Sequence, residues 1–363
     1  MDFEKKPDAA YVYFMPRGED YVPQWVRDAL ATADIYLYKP EKKNLYSFVG
    51  AANEFGIAGL NHTQTRIFAD GLNEKGISVS MQWLPDSKFP YLQSDANKDN
   101  RLFLNWYMAS YILGNIASLD EIPGLFAGAN PTFKVFEIDH LFGKAVSLPF
   151  HFNVQDAEGN SMIIEFEGEP GAERGAVKLY DSRDAANPFL KASGALTNYP
   201  FYSEQVADYE LFLNNHKGIS PVNKEEEPGQ PQEVNGSGLL GMPGDGTPVS
   251  RFARTHLLMK TVYTNPESDM DAVGAAIQML GNIAVPIGTI APFDEPTEVG
   301  DSTLWSAVRD HKNLKYYYYD QHNNQLRMIN LAELVNETAI KSIVLELKGN
   351  NDWYYDTTSE LKS

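Results

Sequence analysis

At 363 residues, with 43% hydrophobic and 22% charged side chains, the chain is too long for a peptide or small module and too apolar for a disordered one; it has the size of one large domain or two ordinary ones. A formal net charge of −19, from 49 acidic and 30 basic residues, argues against nucleic-acid binding through phosphate contacts and against anionic membrane surfaces. The lack of any cysteine excludes disulfides, thiolate metal sites and a cysteine nucleophile within these residues.

The start, Met1-Asp2-Phe3-Glu4-Lys5-Lys6-Pro7, has no apolar core of a signal peptide, and no run of 18 apolar residues follows that would span a membrane. Short apolar or alternating runs bounded by turn residues predict strands over Tyr11 to Met15, Ile35 to Tyr38, Tyr46 to Ala51 and Ile77 to Leu84. Arg101 to Ala117 reads as a helix with Leu102, Trp106 and Leu113 on one face, and a short helix follows from Leu119 to Phe126. Strands return at Lys134 to Ile138, Phe150 to Gln155 and Ser161 to Glu167, the last two joined by the hairpin signal Asp156-Ala157-Glu158-Gly159-Asn160. Helices are expected near Ser203 to Asn214, Ser250 to Tyr263 and Asp269 to Ile283. Strands at Thr303 to Asp310, Leu314 to Tyr319, Leu326 to Ile329 and Ser342 to Leu347 close the chain. The Glu-, Pro-, Asn- and Gly-rich stretch His216 to Gly238 reads as an insertion or surface loop. Strands, then helices, then strands make one α+β domain, compatible with two sheets between helical layers.

Seven histidines, His62, His140, His151, His216, His256, His311 and His322, show no metal-ligand spacing, and no cofactor is implied. Gly241-Met242-Pro243-Gly244-Asp245-Gly246 precedes a helix and suits an anion at a helix N-terminus, or a tight turn with Ser250 as N-cap. It lacks the Lys-Ser/Thr of a P-loop, and no serine elbow G-x-S-x-G occurs. In Leu196-Thr197-Asn198-Tyr199-Pro200, the residues before proline are pushed towards extended geometry, so Asn198 is either a turn former or a projecting amide. Arg251, in the first turn of a helix, opposes the helix dipole and requires a partner, either a surface Asp245 or an anionic or amide group elsewhere. Taken alone, Asp2 is a solvated terminal carboxylate, and Trp83 is a core residue of the Ile77 strand.

Together these strings resemble the choloylglycine hydrolase family, which contains bile salt hydrolases and penicillin V acylases. Met1-Asp2-Phe3 resembles its M-D-W/F, and Phe14-Met15-Pro16-Arg17-Gly18 the following strand and P-R-G turn. Asp70-Gly71-Leu72-Asn73-Glu74-Lys75-Gly76 resembles its D-G-x-N-E-K-G, and His151 to Phe166 a hairpin ending in I-E. Leu196 to Pro200 resembles its T-N-x-P, and Gly241 to Arg254 its G-L-P-G-D-x-(S/T)-x-x-S-R-F-x-R.

The resemblance implies the four-layer αββα sandwich of N-terminal nucleophile hydrolases, a single domain over residues 1–363, and hydrolysis of a linear, non-peptide C–N amide. It implies that Asp2 contacts the nucleophile's amine, Asn198 supplies an oxyanion donor, Trp83 supplies a second donor from its backbone N–H, and Arg251 supports Asn198 and the nucleophile. A tryptophan at position 83, where bile salt hydrolases typically have asparagine, points to aryl- or fatty-acyl amides such as penicillin V or an N-acyl homoserine lactone, with bile salts as the alternative. In the family a cysteine and an arginine precede M-D-W/F on a hairpin of roughly 15–20 residues. The sequence as written lacks that segment, so it is expected to be inactive and to leave a central strand unpaired. Either it starts at an internal methionine, which leaves cytoplasm and periplasm open, or it is a nucleophile-less relative that binds acylated amphiphiles. The resemblance also implies a homotetramer assembled through the region of His216 to Gly238, which composition alone reads as a solvated loop.

Overall fold

The computed structural model describes residues 10–32, 35–38, 43–56, 64–91, 101–138, 140–141, 144–145, 147–169, 171–215, 239, 241–262, 266–290 and 300–345. In chain order the elements are β1 (Ala10–Met15), α1 (Gln24–Ala31), β2 (Phe48–Gly56), β3 (Gln64–Phe68), β4 (Asp70–Asn73), β5 (Ser78–Trp83), β6 (Leu102–Leu104), α2 (Met108–Asn115), α3 (Ile122–Phe126), β7 (Lys134–Phe136), β8 (His140–Leu141), β9 (Lys144–Ala145), β10 (Phe150–Gln155), β11 (Ser161–Glu167), β12 (Ala176–Asp181), α4 (Pro188–Ser193), α5 (Tyr202–Asn215), α6 (Pro248–Thr261), α7 (Asp269–Ile283), β13 (Trp305–Asp310), β14 (Lys315–Asp320), β15 (Asn323–Asn330) and β16 (Lys341–Val344). Among the described residues no helix is long and apolar enough to cross a membrane. They form two compact units, Met1–Met81 with Tyr91–Ser147 and Thr303–Ser363, and Gln82–Pro90 with Leu148–Ser302.

In the first unit the strands run β5-β4-β2-β1-β16, with β3 also on β2, and β13-β14-β15 form a separate antiparallel sheet. Alternation explains how the two sheets pack. Val12 and Phe14 of β1 and Val49 and Ala51 of β2 face the same way, and with Leu72 they meet Tyr316 and Tyr318 of β14 in one buried cluster. Helix α2 lies against β3 and β4. The expected unpaired central strand is not among the described ones: β1, β2 and β4 each have a neighbour on both sides. The small sheet has two outer strands, β13 and β15.

Two expected elements differ. Ile35 to Tyr38 is not a strand: Ile35 N–H bonds to Leu30 O at the end of α1, and Tyr38 N–H to Leu102 O. The helix expected from Arg101 starts only at Met108, after a turn of 3₁₀ helix over Asn105–Tyr107. Leu102–Leu104 instead pairs in parallel with β7. All three of its residues are buried, and a short, wholly apolar run carries no period by which a strand can be told from a helix.

The string Asp70 to Gly76 is accounted for by packing in this unit. Asp70 is buried and accepts from Tyr316 O–H and Trp305 Nε1–H, which ties β4 to the small sheet. A Cβ on Gly71 would lie 2.6 Å from Leu113 Cδ1 and 2.7 Å from Val49 O, so the close approach of β4 to α2 and β2 requires glycine. Asn73 is fully buried and uses both ends of its amide: Oδ1 accepts from Lys75 N and Ile77 N, and Nδ2 donates to Leu113 O and Ile116 O. Glu74 accepts from Arg17 and from Ser47 Oγ, and Gly76 turns the chain at φ +73.

In the second unit β10, β11 and β12 form an antiparallel meander. Its first hairpin is closed by Asp156, whose Oδ1 accepts from Glu158 N and Asn160 N. Helices α4, α5 and α6 pack around Ile163, Leu190, Tyr202, Tyr209, Phe252 and Leu257.

Asn73→Ala strips hydrogen bonds from four backbone groups at once, and a net worth of about 1 kcal/mol each makes the expected loss roughly 3–4 kcal/mol in urea unfolding. Asn73→Asp should cost at least as much, because a carboxylate then faces the carbonyls of Leu113 and Ile116. Either variant within about 1 kcal/mol of the unsubstituted chain would show that these bonds do not hold β4 to α2.

Candidate active site

Of the four residues expected at a site, three lie in the second unit and one, Asp2, is outside the described residues. The structure brings two of the three together. Helix α4 ends at Gly194, left-handed at φ +61, where a Cβ would lie 2.8 Å from both Gln155 Nε2 and Ser161 Oγ. The chain then runs without regular structure through Asn198 and a cis Tyr199–Pro200 bond into α5.

Arg251 stands in the first turn of α6, as expected, and its partners are now visible. Nη2 donates to Asn198 Oδ1 at 2.9 Å and Nε to Gly246 O at 3.1 Å. The surface pairing with Asp245 is not formed. Asp245 instead accepts from Thr247 N, Thr247 Oγ1 and Ser250 Oγ; partial burial pushes its pKa up, but these bonds prevail and hold it at about 2. The N-cap of α6 is therefore Thr247, with Pro248 next, and Ser250 is a donor to Asp245 rather than the cap. A carboxylate already occupies the start of the helix, which removes the reading of Gly241 to Gly246 as an anion cradle. Arg254 closes the same turn by donating to Pro243 O and Asp245 O.

The Arg251–Asn198 bond fixes the asparagine's orientation. A guanidinium has donors only, so the atom it meets must be the amide oxygen. Nδ2–H₂ is then turned away, with no partner among the described residues. Both acceptors of Arg251 are neutral oxygens. Burial, and then the neighbouring Arg254 charge, lower its pKa from the ordinary arginine value. An amide donor backed by a cation that meets no carboxylate among the described residues suits an oxygen that gains negative charge.

Trp83, at the end of β5, is not a core residue: it is 38% exposed and meets buried Phe150 edge-on, ring centroids 5.8 Å apart. Trp83 makes no hydrogen bond to either Asn198 or Arg251.

Sequence reasoning missed the residues that hold Asn198 in place. Gln205, one turn into α5, is fully buried and bonds to Thr197 and Pro200. Glu165, also fully buried, accepts from Tyr202 N at 2.9 and 3.1 Å and pairs with His151 Nδ1 at 2.7 Å. A signal for Gln205 was present: Tyr202, Gln205 and Tyr209 are the buried residues of α5 and share one face, a polar residue set in an apolar stripe.

Residues 1–341 match the family model of linear amide C–N hydrolases, choloylglycine hydrolase family, which spans both units. The chain is 25% identical over 264 residues to the bile salt hydrolase/transferase of Clostridium perfringens, covering 73% of this chain and 72% of that protein. It is 24% identical over 335 residues to the penicillin V acylase of Pectobacterium atrosepticum, covering 85% and 76%. A solved variant of conjugated bile acid hydrolase from Clostridium perfringens superposes with a TM-score of 0.68 at 21% identity, covering 97% of this chain and 94% of that one. Penicillin V acylase from Agrobacterium tumefaciens does so with 0.61 at 18% identity, covering 92% and 83%. These likenesses establish the fold, α+β of the N-terminal nucleophile hydrolase type.

His256 of α6 offers a measurable property of this frame. Its Nδ1–H donates to Phe252 O at 3.0 Å, so Nε2 accepts from Ser193 Oγ at 2.8 Å. Desolvation by burial lowers its pKa from 6.5 to about 4. The unfolded chain thus binds this proton between about pH 6.5 and 4 while the folded one does not, and folding stability must fall as pH drops through that window. The expected loss is about 3 kcal/mol at full titration. His256→Gln should flatten the difference in unfolding midpoint between pH 7 and 4.5; an unchanged pH slope would mean that His256 takes up its proton in the folded state.

Proposed function

Because the chain belongs to the choloylglycine hydrolase family of linear amide C–N hydrolases, we propose that its site binds the carbonyl of an acyl amide with Asn198 Nδ2–H as oxyanion donor and Arg251 as the group that orients and polarises that donor. The observation that carries this reading is the Arg251 Nη2 to Asn198 Oδ1 hydrogen bond. Hydrolysis breaks the C–N bond, with the acyl group leaving as a carboxylate and the amine carrying away a proton. The demanding point is the tetrahedral intermediate, where the former carbonyl oxygen holds a full negative charge. A preoriented N–H donor worth roughly 3–4 kcal/mol there acts on that intermediate more than on the neutral amide.

In this reading the attacking group is an N-terminal cysteine thiolate, whose own α-amine, titrating near neutrality, takes the proton. Asp2 holds that amine, and the Trp83 backbone N–H is the second oxyanion donor. These 363 residues contain no cysteine, so the polypeptide as written is expected to bind acyl amides without turning them over. The exposed Trp83 ring, held edge-on by buried Phe150, supports an aryl or fatty acyl group rather than a bile acid: the indole can stack against a phenoxyacetyl group. Penicillin V and N-acyl homoserine lactones are the substrates we favour.

The lack of cysteine favours one competing reading, a protein that binds acylated amphiphiles and never cleaves them. N-terminal sequence and intact mass of the protein from its natural source, with turnover of penicillin V, an N-acyl homoserine lactone and a glycine-conjugated bile salt, separate the two. A mature N-terminal cysteine with hydrolysis of the first or second compound is the expected result. In that form Asn198→Ala should lower kcat by roughly 10²–10³, and Asn198→Asp by no less, since a carboxylate paired to Arg251 offers no donor. A natural protein without cysteine that binds these compounds and leaves them intact would replace the hydrolase reading with the binding one.

A further inference from the structure

We infer that Gln205 is the positioning residue that fixes Asn198 as a donor; this rests on the oxyanion role proposed above for Asn198.

The Gln205 side chain is fully buried, and all of its hydrogen-bonding capacity goes into the two residues that bracket the Asn198-Tyr199 pair. Oε1 accepts from Thr197 N at 3.1 Å and from Thr197 Oγ1 at 2.9 Å, and Nε2 donates to Thr197 O at 3.0 Å and to Pro200 O at 2.6 Å. An amide has two donor hydrogens and an oxygen with two lone pairs, so this side chain has nothing left for any other partner. It reads the backbone on both sides of the asparagine. Thr197 Oγ1 also lies 3.0 Å from Pro248 O, the first residue of the helix that carries Arg251. Two residues further on, Glu165 takes Tyr202 N. The free span is thereby reduced to Asn198 and Tyr199.

The geometry needs this. Arg251 fixes which end of the Asn198 amide points away, but a single hydrogen bond leaves the side chain free to swing as its backbone moves. An oxyanion donor has to stay within about 0.5 Å of its place to work, and a misplacement near 1 Å costs about 10²-fold in rate. The clamp supplies the second constraint. Gln205 touches no substrate in this account and acts through Asn198.

Binding to the full 363-residue chain tests the inference without any nucleophile. The probes are phenoxymethylphosphonate monomethyl ester, a tetrahedral anion that imitates the intermediate, and phenoxyacetamide, its planar neutral counterpart. The readout is the ratio of the two affinities. A positioning role predicts that Gln205→Met, similar in shape and without the clamp, lowers phosphonate affinity about tenfold while phenoxyacetamide affinity stays within about twofold, as for Asn198→Ala. Gln205→Glu provides a second variant should the methionine variant fail to fold: ionised, it has no donor for Thr197 O and Pro200 O; protonated, it regains one O–H. Its phosphonate selectivity should therefore recover as pH falls, relative to the unsubstituted chain at the same pH.

If Asn198→Ala loses selectivity and both Gln205 variants keep it, the positioning role is overturned while the oxyanion reading stands. If Asn198→Ala itself keeps selectivity, the oxyanion reading falls and takes this inference with it. Parallel losses for both probes, tracking the unfolding temperature, would reduce Gln205 to a structural residue.

Discussion

A guanidinium can only donate, and the site depends on that fact. An asparagine on a loop can present either its oxygen or its NH₂ to a ligand, and the two faces favour opposite charges. The bond from Arg251 removes the ambiguity, because only the oxygen of Asn198 can receive it. Arg251 in turn opposes the dipole of α6, a cost typically of a few tenths of a kcal/mol to 1 kcal/mol. Two strong acceptors, Asn198 Oδ1 and Gly246 O, offset it. The same arrangement places a half-buried cation, held by two neutral oxygens among the described residues, behind an amide donor.

Around this pair the second unit devotes buried polar groups to holding one loop. Gln205, Glu165 and Thr197 are each nearly or fully inaccessible, and each would destabilise the fold if left unpaired. Gln205 and, beside its His151 partner, Glu165 are satisfied by the backbone of the segment that carries Asn198, and the Thr197 hydroxyl by Gln205 Oε1. Mutual dependence follows: the loop supplies the partners that make these buried groups tolerable, and they deny the loop alternative shapes. In the first unit Asn73 and Asp70 follow the same logic for a purely structural end, joining β4 to α2 and to the small sheet. The Asp70 to Gly76 string, prominent in the resemblance, is thus accounted for without any chemistry.

Legibility in the sequence followed locality. The hairpin from Phe150 to Glu167 and helix α7 emerged close to their expected bounds, because turn residues, apolar period and caps all act within a few positions. Arg251 could be marked as needing a partner because a helix dipole is a local property, but the partner lies 53 positions away in sequence, and nothing local names it. Gln205 was missed for a related reason: a glutamine on a helix ordinarily reads as surface, and its place between Tyr202 and Tyr209 on one face marks it as buried without naming its partners. Glu165 and His151 are brought together by strand pairing, so their contact could not be read from either residue alone. Leu102–Leu104 was misread because an all-apolar triplet has no period. The residues expected to carry assembly, 216–238, and Asp2 lie outside the described residues, so for these the sequence reading stands by itself.

Transition-state logic gives the site its meaning. A neutral amide carbonyl bears only partial charge, so a single backed N–H gains little from holding it; the gain comes when a nucleophile adds and the oxygen becomes an anion. A frame as heavily constrained as the one around Asn198 therefore answers a requirement that ground-state binding does not impose. Binding an acyl amide tolerates a donor that drifts by an ångström, whereas stabilising a tetrahedral intermediate does not. The hydrogen bonds from Gln205, Glu165 and Arg251 to residues 197 to 202 are a restraint that the proposed hydrolysis needs and that a carrier of acylated amphiphiles could do without. That asymmetry is the reason to propose hydrolysis rather than carriage, by a form of the protein that supplies the cysteine which these 363 residues do not contain.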